Sequence, residues 1–95
     1  MSVLVVGGDR LGNITHKLSE YGFSDIHHVT GRKAGDRRLT VPENTDLIVV
    51  LTDFVEHQLT EVIKKESKRK GVQITFSKRS WSHMRKNIEQ CLGRE

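Results

Sequence analysis

Asp46-Leu47-Ile48-Val49-Val50-Leu51-Thr52-Asp53-Phe54-Val55-Glu56-His57 is the stretch on which the rest of the chain turns. It opens with five consecutive aliphatic residues, Leu47 to Leu51. A run that short and unbroken reads as a strand buried on both faces, as inside a parallel sheet. Then the period changes. Asp53 and Glu56 have the spacing of a capping box, and Val55, Leu59, Val62 and Ile63 repeat as one helical stripe. A buried strand running into a capped helix places Thr52 to His57 at the carboxyl end of the sheet, where open α/β sheets bind ligands.

On the helix so expected, His57 lies about 160° from the centre of the apolar stripe, at about 100° per residue. Phe54, three residues earlier, is its neighbour on a face the sheet does not cover. A ring and an imidazole off the core face point to a bound ligand or a second subunit. The plainer reading is that Asp53 and Glu56 only cap the helix and that His57 is solvated.

Working outward, Ser2 to Val6 form a short aliphatic strand ending in Gly7-Gly8. Leu11, Ile14, Thr15, Leu18 and Tyr21 follow at helical spacing, and Gly22 stops them. A strand, a glycine turn and a helix make the first half of a βαβ unit whose helix start can hold an anion. Asp9 stands where a dinucleotide fingerprint needs glycine, and Asn13-Ile14 where a phosphate loop needs Lys-Ser/Thr, so neither motif is present. Glycines for a tight turn and close packing explain the segment equally well.

Asp25 to Thr30 is the second strand, with His27 and His28 on opposite faces. It ends in Thr30-Gly31-Arg32-Lys33 rather than in the acid that would hold a ribose hydroxyl, which argues for a negatively charged ligand. Gly31 to Thr45, with the only proline (Pro42), has no helical period and reads as a long crossover that leaves one sheet face short of a helix. Lys64 to Gly71 is a basic helix end, Val72 to Phe76 a fourth strand, and Trp81, Met84, Ile88, Cys91 and Leu92 the stripe of a last helix. The implied fold is α/β. It is one domain over residues 1–95, a parallel sheet of four strands ordered 2-1-3-4 with helices on both faces.

Composition limits the chemistry. Ninety-five residues with 35% hydrophobic content sit near the lower end of self-sufficient cores, so oligomerisation or a cofactor is expected to contribute. One cysteine makes no internal disulfide and no zinc or iron–sulfur set, so metal chemistry would use the five histidines. No apolar run spans a bilayer and the N-terminal segment is too short for a signal peptide, so no membrane association and a cytoplasmic address are expected. The net charge of +4 favours anionic partners.

Every segment after a strand emerges on one edge of a parallel sheet. That edge gathers Gly7, Gly8, Asp9 and Arg10, then Arg32, Lys33, Arg37 and Arg38, then Asp53 and His57, then Lys78 and Arg79. Seven bases against two acids make the rim attractive to an anion.

Val5-Val6-Gly7-Gly8-Asp9, the pair His27-His28 and above all the stretch from Asp46 to His57 resemble a bacterial family of short proteins, domain of unknown function family 2325. The basic helix end and Val72-Gln73-Ile74-Thr75-Phe76-Ser77-Lys78 fit it as well. The resemblance covers nearly the whole chain. It implies a small Rossmann-like fold and a site at the aspartate-to-histidine junction, and no settled activity. The family usually has a small residue where Glu56 stands, a departure that bears on the charge beside His57.

Three functional expectations follow, from different classes. The first is a non-enzymatic haem protein for gas binding or sensing. His57 is its axial ligand, with His28 or His27 as the second candidate, Phe54 on the macrocycle, and Arg32, Lys33 or Arg38 on the propionates. A site shared in a homo-oligomer would enclose so large a group. The second is a regulatory domain for a phosphate-bearing ligand or nucleotide, held by Gly7, Gly8, Arg10 and the basic rim. The third is an interaction or nucleic-acid module using Lys64 to Lys70, without a base-reading signature. Catalysis is disfavoured. Asp53 and His57 are four apart and could form an acid–base pair on one helix, but a capping aspartate gives its oxygen to the backbone.

Overall fold

The computed structural model describes residues 1–30 and 41–93, the Phe54 side chain excepted. The elements are β1 (Ser2–Val6), α1 (Asn13–Tyr21), β2 (Asp25–Val29), β3 (Leu47–Leu51), a 3-10 turn (Thr52–Phe54), α2 (His57–Lys70), β4 (Gln73–Ser77) and α3 (Trp81–Leu92). All three strand pairings are parallel and the order is β2-β1-β3-β4, as the pattern of apolar runs implies.

The aliphatic run of β3 is buried on both faces because side chains alternate. Leu47, Val49 and Leu51 join Val3 and Val5 of β1 against Leu11 of the turn before α1, Ile14 and Leu18 of α1, and Met84 and Ile88 of α3. Ile48 and Val50 join Leu4 and Val6 against Leu59 and Ile63 of α2, with Val41 from the crossover. The five β3 side chains have 0% exposure, each burial worth about 2 kcal/mol. Central strands β1 and β3 therefore carry the structure, and one helix layer lies on each side.

Several boundaries differ from the sequence reading by a residue or two. α1 starts at Asn13, not Leu11. Leu11 packs into the core from the preceding turn, and its carbonyl accepts the Ile14 N–H at 3.0 Å. β4 runs Gln73–Ser77, one residue late, because the Val72 N–H closes the end of α2 on the Ser67 carbonyl at 3.0 Å. Gly71 stands at φ +68°, the left-handed conformation that ends the helix.

Of the crossover from Gly31 to Thr45, residues 31–40 lie outside the described part, and with them the rim candidates Arg32, Lys33, Arg37 and Arg38. Its final residues are held firmly. Val41 is buried and its carbonyl accepts Lys70 Nζ at 2.6 Å. Thr45 donates through its hydroxyl to the Pro42 carbonyl at 2.7 Å. Asp46 then latches β3 to β1, its carboxylate accepting the Ser2 N–H at 2.7 Å while its own N–H reaches the Ser2 carbonyl at 2.9 Å.

Candidate functional site

After β1 the chain reverses on Gly7 and Gly8, at φ 115° and 75°, values that L side chains adopt only with strain. The Gly7 N–H extends the ladder to the Val29 carbonyl at 2.8 Å. The carbonyl of Gly7 is met by His28, whose Nε2 lies 2.8 Å away. That contact requires the proton on Nε2, since a carbonyl oxygen only accepts. Across the turn, Arg79 from the β4–α3 connection donates through Nε to the Arg10 carbonyl at 3.2 Å, and through Nη2 to the same oxygen. Gly8, Asp9, Arg10 and Arg79 line a cleft of about 390 Å³. The sequence placed all four on one rim, and the structure joins them.

After β3 the geometry departs from the expected capping box. Asp53 sits in the 3-10 turn, Val55 is extended at φ −130°, and only then does α2 begin. Glu56 is the cap, its carboxylate accepting the Leu59 N–H at 3.2 Å. The D-x-x-E spacing misled because the turn and the extended residue place a break between Asp53 and the helix. Two expectations fall with it: Asp53 and His57 are not an i,i+4 pair on one helix, and Phe54 and His57 do not share a helical face. The apolar stripe itself holds, with Leu59 and Ile63 buried and Val55 and Val62 packed beside them.

His57 is the first residue of α2 and is exposed. Its ring has no partner among the described residues, and it does not line the glycine cleft. His27 and His28 take opposite faces. Ile26 packs in the layer of α1 and α3, Val29 in that of α2, so His28 belongs to the first side and exposed His27 to the second. They cannot approach one ligand together on this β2. Among the described residues no three His, Cys, Asp or Glu side chains gather as a metal set. A haem iron has a smaller demand, one or two imidazoles, since its porphyrin supplies the other ligands.

In the basic end of α2, Arg69 donates to Glu66 at 2.7 and 3.1 Å and holds that carboxyl below its usual pKa. Lys70 reaches the Val41 carbonyl, and Lys64 lies 5.5 Å from the centre of the Phe76 ring. Cys91 is half-buried against the first core, and burial pushes its thiol pKa up. The reach of Arg79 to Arg10, 69 residues apart, was not foreseen, and only the shared rim position of the two residues hinted at it.

The model of a family described as uncharacterized proteins conserved in bacteria, DUF2325, matches residues 2–91. The chain belongs to DUF2325. The match begins with β1 and ends one residue short of the end of α3, so all three strand-to-helix junctions lie within the shared DUF2325 fold. No curated protein and no solved structure matches the chain. No helix among the described residues is long and apolar enough to cross a membrane.

Proposed function

We propose that this DUF2325 protein is a non-enzymatic haem-binding protein, with His57 as the axial ligand, in a site shared between subunits of a homo-oligomer. The observation that carries the reading is the availability of the imidazoles. His28 is bonded to Gly7 through Nε2, the nitrogen farther from the backbone, and His16 lies 3.1 Å from Glu20. His57 stands at the carboxyl end of the sheet with its ring unengaged among the described residues. Arg10, Lys78 and Arg79 follow strands on that same edge and are the described cations toward which propionates would turn. An exposed histidine cannot enclose a macrocycle alone, so a second copy supplies the cover. Bound haem would offer an open coordination position to a small gas.

The test is an absorption spectrum of protein purified from cells fed a haem precursor, read with sedimentation. A Soret band at no more than one haem per chain, in a species heavier than the 10.9 kDa monomer, is the expected result. Protein that takes up no haem when reconstituted defeats the reading.

A second reading has its own observation, the glycine cleft. Gly8, Asp9, Arg10 and Arg79 line the recess, two cations against one acid, a balance that favours a phosphate, and Arg79 reaches across it to the Arg10 carbonyl. Arg79→Ala should weaken inorganic phosphate or nucleotide binding about tenfold, and more at low salt than at high. Calorimetry showing equal affinity in both proteins removes this reading and leaves the first untouched.

A further inference from the structure

The layer of α1 and α3 carries a feature that neither reading uses. We infer that the groove between these helices docks a partner protein, by seating one apolar side chain with a carboxylate beside it. The groove is about 220 Å³ and is lined by Lys17, Glu20 and Tyr21 of α1 and by Trp81 and Arg85 of α3. Small-molecule pockets begin at about 300 Å³, so this one suits a side chain better than a free ligand.

Its floor holds the only tryptophan and the only tyrosine of the chain. Both are half-buried, with inner faces packed on the first core, so they form a fixed surface. Tyr21 stacks on buried Phe23 with ring centres 5.9 Å apart and meets Trp81 edge-on at 6.3 Å. Trp, Tyr and Arg are the residues that dominate binding energy at protein interfaces, the two aromatics because they bury much area with little loss of side-chain freedom and Arg because it donates several hydrogen bonds. Here all three converge on one recess.

The charges at its rim choose the neighbour of the anchor. Arg85 is aimed by its bond from Nε to Glu89 at 2.8 Å, which leaves its terminal nitrogens to donate. Lys17 is exposed, with no partner among the described residues. Glu20 has His16 beside it at 3.1 Å. A carboxylate next to the anchor therefore meets Lys17 and the free end of Arg85.

A second copy of this chain is a poor occupant. Phe76, the larger of the two exposed large apolar side chains among the described residues, has the Lys64 ammonium over its ring and would bring a cation toward Lys17 and Arg85. Single-stranded nucleic acid is disfavoured too, since the edge-on rings of Tyr21 and Trp81 offer no open parallel stack.

Trp81, being the sole indole, reports the site directly. The probes are pentapeptides with Phe, Leu or Ala between two pairs of Asp or Glu, the same set with Lys, and an oligothymidylate, each added to the full chain. Acidic peptides with Phe or Leu should shift the Trp81 fluorescence and its indole N–H resonance with Kd of about 1 mM or tighter, and the Ala peptide about tenfold less well. Lys17→Glu with Arg85→Glu should weaken binding at least about tenfold. Lys17→Glu alone, which breaks no ion pair among the described residues, keeps the test decisive if the double variant loosens α3. Absence of any shift at about 1 mM, equal binding of Lys peptides, a shift from oligothymidylate alone, or a shift on self-association alone each overturns the proposal.

Discussion

After β1 the chain turns on glycine backbone, and two side chains from distant elements, His28 and Arg79, reach in to bond its carbonyls at Gly7 and Arg10. After β3 the chain turns through Thr52–Phe54 and supplies its own cap from Glu56, and among the described residues no outside side chain is drawn in. Both junctions lie at the carboxyl end of the sheet, and both hold residues of functional type. They differ in what those residues are already doing. At the first, the imidazole and the guanidinium bond backbone oxygens of the glycine turn. At the second, capping by Glu56 leaves His57 without a structural task among the described residues. Position at a ligand-binding edge and availability to a ligand are separate properties.

The largest expected effect separates the two histidines. His57→Ala should abolish the Soret band of the haem-loaded protein while changing stability by no more than about 0.5 kcal/mol, as for an exposed side chain with no partner. His28→Ala should do the reverse. It removes the ring bonded to the Gly7 carbonyl, costs about 1 kcal/mol, and leaves the band in place. Spectra and urea melts of the two variants side by side would reverse the assignment if the His28 variant, and not the His57 variant, lost the haem.

The next effect tests whether the first junction depends on its glycine. Gly8 stands at φ +75°, and a Cβ there would lie 3.5 Å from Leu51 Cδ1, an ordinary contact, so the cost of alanine is conformational strain and not a clash. Gly8→Ala should lose about 1–2 kcal/mol, or about 4–16 °C in melting temperature for a domain of this size. An unchanged melt would mean that the turn has an alternative conformation open to it. The glycine would then serve approach to a ligand, which strengthens the phosphate reading.

The fold was legible because its signal is the apolar pattern. Leu47 to Leu51 has no polar residue to place on a surface, so it had to be buried on both sides, and the parallel sheet with its 2-1-3-4 order followed. The junctions were less legible. Asp53 and Glu56 fit a capping box by spacing alone, and nothing in the sequence marked Val55 as the extended residue that breaks it. The pairing of Arg79 with Arg10 is long-range and between two cations, a contact that no local rule proposes. It exists because a carbonyl, not a side chain, is the acceptor. His28 was read as a candidate ligand because, with one cysteine and five histidines, metal chemistry would fall to imidazole, a ground that does not distinguish a ring bonded to backbone from an open one.

Glu56→Ala should cost about 1 kcal/mol by leaving the Leu59 N–H without its acceptor, with the loss confined to the first turn of α2. Hydrogen exchange reads this directly, as faster exchange at Leu59 with the glycine turn unaffected. If protection at Gly7 fell as well, the junctions would be coupled, and the contrast between them would describe one cooperative unit rather than two independent devices.

The smallest effect lies at the other end of α2 and serves as the control. Glu66 accepts two bonds from Arg69, which hold its carboxyl below the ordinary value of 4.5, with the nearby Lys70 charge adding to the shift. A depressed folded pKa means that the unfolded chain takes up the proton first as acid is added. The contribution of the pair is therefore fully present above the ordinary carboxylate value and is lost as pH falls through the lowered folded value. It is absent from any change seen near neutrality, where the carboxylate is ionised in both states. A carboxyl-carbon titration should show Glu66 ionising below 4.5 in the native protein, and Arg69→Ala should move it upward. Because the pair is at the surface, it should be weakened by salt and should leave the melting temperature at pH 7 almost unchanged. Haem binding should be indifferent to Arg69→Ala at every pH, since neutral imidazole at the far end of the helix, and not this ion pair, is what coordination requires. A loss of haem in Arg69→Ala would show that the basic end of α2 takes part in the site, and would extend the ligand's footprint along the whole helix.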